Sequence, residues 1–126
     1  MRDHVRQSLA VLPDQDPAML AFVKCHVTSF VKWDVLRALS DRSGFWVEPS
    51  QLAREINRPA DKVREALHGL TTEGIVERAG LTDEPIFRLT PDEPTTLVVN
   101  KLIGRSTENQ ELRKIVVAHI LQAAVA

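Results

Sequence analysis

Residues 50–89 read SQLAREINRPADKVREALHGLTTEGIVERAGLTDEPIFRL, and their punctuation decides the fold. Ser50 suits a helix cap, and the helix behind it runs through Ile56. Asn57 tolerates the left-handed conformation of a tight turn, Pro59 opens a second helix, and Gly74 stops that helix past about Glu73. Ile75–Arg78 and Ile86–Leu89 are short β-prone runs around a polar loop that holds Gly80 and Pro85. The stretch therefore reads as a helix-turn-helix followed by a two-stranded hairpin.

Upstream, apolar residues Leu20, Val23, Val27, Phe30, Val31, Val35, Leu36 and Leu39 recur at helical steps. They predict one long helix from about Pro17 to Arg42, with Thr28-Ser29 as a bend or a break and Ser43-Gly44 as the stop. Val5, Leu9 and Leu12 predict a short helix ending near Pro13, so residues 1–16 read as an arm. Phe45-Trp46-Val47 is long enough for an edge strand only. Downstream, Thr90-Pro91-Asp92-Glu93 has capping-box spacing and predicts a helix broken at Gly104; Ser106 or Thr107 then caps a last helix. The expected division is an arm over 1–16, a core domain over 17–90 and C-terminal helices over 91–126.

Bulk properties bound the function classes. The 126 residues are 44% hydrophobic and 26% charged, as in an ordinary globular domain. Lys and Arg number 16 against 17 Asp and Glu, so no basic surface follows from composition. Cys25 alone excludes an internal disulfide and fits a reducing compartment. No run suits a signal peptide or approaches the ~20 apolar residues of a membrane span, which makes the cytoplasm the expected location.

The segment from about Phe30 to Thr90 resembles the winged-helix transcription regulators of the MarR and ArsR type. Leu52-Ala53, then Val63, Leu67 and Leu70, carry the resemblance in the two helices; Glu73 to Arg78 and Phe87 to Thr90 carry it in the wing. It implies a mainly α fold, a three-helix core with a small β-wing and extra N- and C-terminal helices. It also implies a homodimeric DNA-binding regulator. Arg54, Lys62, Arg64 and Arg88 would then meet phosphates, and His68 a base edge.

Side chain by side chain, the groove-facing surface is poor in cations. Val63, Ala66, Leu67 and Leu70 cluster on one side of the second helix, leaving Asp61, Glu65, His68 and Thr72 opposite. The wing tip, residues 80–85, holds two acids and no base. Residues 43–90 hold six basic and eight acidic side chains, so the motif is net acidic. Phosphates repel such a face. A solvated charged face is the plain alternative to specific contacts. Arg58 stands where the resembled family buries an apolar residue, which implies altered packing at the turn.

Other candidate sites are thin. Cys25-His26 invites a metal or redox reading, with His4, His68 and His119 as partners, but no ligand spacing accompanies it. Cys25 reads as a buried free cysteine beside a surface histidine, and no metal or cofactor is expected. Trp33 and Trp46 read as core or interface packing. No catalytic motif is present, so no enzyme is expected.

Residues 115–126 have only His119 and Gln122 as polar side chains. A helix so apolar must be covered, by this chain or by a second copy. The expected dimer interface is Leu112, Ile115, Val116, His119 and Ile120, with burial inside the monomer as the alternative. Two functions follow. A DNA-binding regulator narrowly leads, on the scaffold's usual use; a winged-helix protein-interaction module without DNA binding is the alternative, on the acids.

Overall fold

The computed structural model describes residues 17–42, 44–80 and 83–125. The helix expected over 1–16 lies outside them. Six helices and a hairpin follow in the order α1 (Pro17–His26), α2 (Phe30–Asp41), α3 (Pro49–Ile56), α4 (Ala60–Thr72), β1 (Val76–Ala79), β2 (Ile86–Leu89), α5 (Glu93–Glu108) and α6 (Gln110–Val125). This is a mainly helical winged helix with extra helices at both ends.

The helix-turn-helix is built from its stop residues. Asn57 has φ 58°, and the Asn57 and Arg58 amides donate to the Arg54 and Ala53 carbonyls, closing α3 in a Schellman turn. Gly74 (φ 83°) ends α4 in the same way, with its amide and that of Ile75 donating to Thr71 and Leu70 carbonyls. At the front of α3 the cap position is Glu48, not Ser50, and its side chain makes no capping bond. Pro49 fills the first helical position, where a missing N–H costs nothing.

The wing pairs β1 with β2 antiparallel, Val76 opposite Leu89 and Ala79 opposite Ile86. Val47 adds a third, one-residue strand through two backbone bonds to Phe87 of 2.8 and 2.9 Å. The edge strand expected at 45–47 is thus reduced to a single bridge.

The long helix expected over 17–42 is two helices. Ser29 Oγ accepts from the Lys32 amide at 3.1 Å, so Ser29 caps α2 and the chain turns there. The turn sends α1 onto α5 and α6 rather than continuing along α2. At the other end, α5 runs through Gly104, because one exposed glycine costs a helix only about 1 kcal/mol. Ser106 and Thr107 return their hydroxyls to the Ile103 carbonyl, which removes them as caps. Asn109 takes that role, its Oδ1 accepting from the Leu112 amide at 3.1 Å. Asp92, rather than Thr90, caps α5, accepting from the amide and hydroxyl of Thr95.

One core joins these parts. Leu36, Leu39, Leu52, Leu67, Leu70 and Phe87 are buried in the winged helix, and Met19, Val99, Leu102, Leu112, Val116 and Ile120 extend the same cluster into the terminal helices. Among the described residues no helix is long and apolar enough to cross a membrane.

Candidate functional site

The candidate site is the outer face of α4 together with the wing. Burial of Val63, Ala66, Leu67 and Leu70 fixes the rotation of α4, so Asp61, Lys62, Glu65, His68 and Thr72 face outward. The apolar period of α4 predicts this same face. What it could not give was the pairing of each charge.

Three of the motif's arginines are already occupied. Arg64 reaches Glu84 of the wing at 3.3 Å. Arg88 donates through Nε and an Nη nitrogen to Glu77 Oε1, at 3.0 and 2.9 Å, across the register pair that joins β2 to β1. Its guanidinium also lies 4.5 Å from the ring centre of Trp46, so a second face of the group is covered. Arg58 donates twice to Asp34 Oδ2, at 2.9 and 2.7 Å, pinning the turn of the motif to α2.

Of the remaining contact candidates, Arg54 and Lys62 are exposed and make no ion pair among the described residues. His68 is exposed, but the rings of His68 and Phe87 meet in a T-shaped contact, centroids 5.6 Å apart at 89°. Arg78, absent from the predicted contacts, is also exposed and unpaired among the described residues. Its register partner is Phe87, the residue against which His68 rests. Its place on a strand of the wing is legible in the sequence, but whether it pairs with an acid or stays exposed is set by register. Against these cations stand Asp61 and Glu65 on α4 and Asp83 on the wing, all exposed. Arg54, Lys62 and Arg78 are thus the exposed cations of the motif without an ion pair among the described residues, against as many exposed acids on α4 and the wing.

The C-terminal end of α4 is held from behind. Lys32 Nζ of α2 donates to Glu73 Oε2 at 2.8 Å, and His26 Nδ1 of α1 donates to Oε1 at 2.9 Å. Burial pushes the Glu73 carboxyl up, but the Lys32 and His26 hydrogen bonds outweigh it, holding the group below its ordinary 4.5. Gly69 permits the approach: a Cβ there would meet Lys32 Cε at 3.3 Å.

Elsewhere, Cys25 is exposed, not buried, because the buried stripe of α1 is Met19, Phe22 and Val23. His26 belongs to the Glu73 clamp. Trp33 packs against the core, as expected, whereas Trp46 is largely exposed under Arg88. Among the described residues no three His, Cys, Asp or Glu side chains lie together as metal ligands would.

The terminal helix divides its expected interface. Leu112, Val116 and Ile120 are at most 2% exposed, facing α5 and α1 in the monomer's own core. Ile115 and His119 are half-buried beside them. The alternative of burial within the chain thus holds for Leu112, Val116 and Ile120, which offer a second copy no surface. Val117 and Leu121, on the opposite side of α6, are 41% and 55% exposed, and Leu97 of α5 is 61% exposed.

No protein-family model matches the sequence, and no curated protein matches it. Among solved structures, "Possible transcriptional regulator from Methanosarcina mazei Go1" aligns over 88% of this chain and 85% of its own, with 13% identity and a TM-score of 0.41. A likeness that loose carries no argument about this chain.

Proposed function

We propose that this chain is a non-catalytic winged-helix module whose α4 and wing meet a protein surface rather than a DNA duplex. The observation that supports it is the charge state of the face. Arg64 and Arg88 are each matched by an acid of the wing, Glu84 and Glu77, while Asp61 and Glu65 stand exposed on α4. An exposed ion pair is worth only about 0–1 kcal/mol, so phosphate is able to break one. Breaking it, however, leaves an unpaired carboxylate next to the phosphate, and the counterion release that drives DNA binding is largely lost.

The test is fluorescence anisotropy with a labelled duplex at low salt. Absence of salt-dependent binding in the micromolar range is expected; binding that weakens steeply with salt would reverse the reading. The second reading, a DNA-binding regulator, is favoured by Arg54, Lys62 and Arg78, exposed and unpaired among the described residues. With three phosphate contacts it requires a slope of log K against log salt of roughly −3.

The same reading takes the chain as a homodimer. Val117, Leu121 and Leu97 supply the exposed apolar surface for a second copy. Sedimentation equilibrium tests it: Leu121→Glu should shift a dimer to monomer, and a monomeric wild type at high concentration would remove the dimer.

A further inference from the structure

We draw no further inference here: the strongest candidate, the exposed aromatic patch that Phe45 and Trp46 form at the Val47 edge of the wing sheet beside Arg88, carries nothing, because nothing in the structure shows what covers it.

Discussion

Glu73 sits between donors from two different helices, the Lys32 ammonium and the His26 ring, and its carboxyl lies below its ordinary value because their hydrogen bonds outweigh its burial. A carboxyl depressed on folding stabilises the native state above its unfolded value, and that contribution disappears as pH falls through the folded value. Wild type should therefore exceed Glu73→Gln in stability at pH 7, with the gap closing below about 4.5. Urea melts of the two proteins from pH 7 to 3 measure this, and a gap independent of pH would refute it. At the turn, Asn57 holds φ 58° without strain, but alanine there would pay about 1–2 kcal/mol for the left-handed conformation. Asn57→Gly should leave urea stability nearly unchanged. On the wing, Glu77→Gln with Glu84→Gln frees Arg88 and Arg64. Salt-dependent duplex affinity should appear in that double variant, read by anisotropy, with the fold unchanged by circular dichroism.

Among the elements, α5 and α6 show how far local signals reach. Gly104 looked like a stop, yet nothing lies within 4 Å of a Cβ added there and the helix passes straight through. Gly104→Ala should raise stability by about 0.5–1 kcal/mol in a thermal or urea melt. The helix ends where Asn109 takes both ends, its amide donating to the Arg105 carbonyl and its side chain capping α6. Asparagine, serine and threonine were all plausible caps by composition; which hydroxyls fold back onto Ile103 is a matter of rotamer, and sequence does not carry it. In α6 the residue types gave an all-round apolar helix, but not which stripe the monomer takes. Leu112→Ala should cost about 2–5 kcal/mol, because its site is closed on all sides. Leu121→Ser, on the open side, should cost the monomer less than about 0.5 kcal/mol.

For the whole molecule, the break at Ser29 has the widest consequence. It turns one expected long helix into two and carries α1 onto α5 and α6, so that a single core runs from Met19 to Ile120. The terminal helices are thus packed on the winged helix, and a single cooperative unfolding transition is expected by calorimetry. The helix-turn-helix and wing are legible in the residues alone, because apolar period, Asn57, Pro59 and Gly74 act within a few residues of the backbone they shape. Legible too is that the outer face of α4 is acidic at its centre, since burial of Val63 and Leu67 leaves Asp61 and Glu65 no other side. Which arginines remain available, and which side of α6 stays open, follow from the packed fold. Those outcomes depend on side chains 11 to 24 residues apart, Arg88 with Glu77, Arg64 with Glu84 and Arg58 with Asp34, which meet only after the hairpin and helices pack.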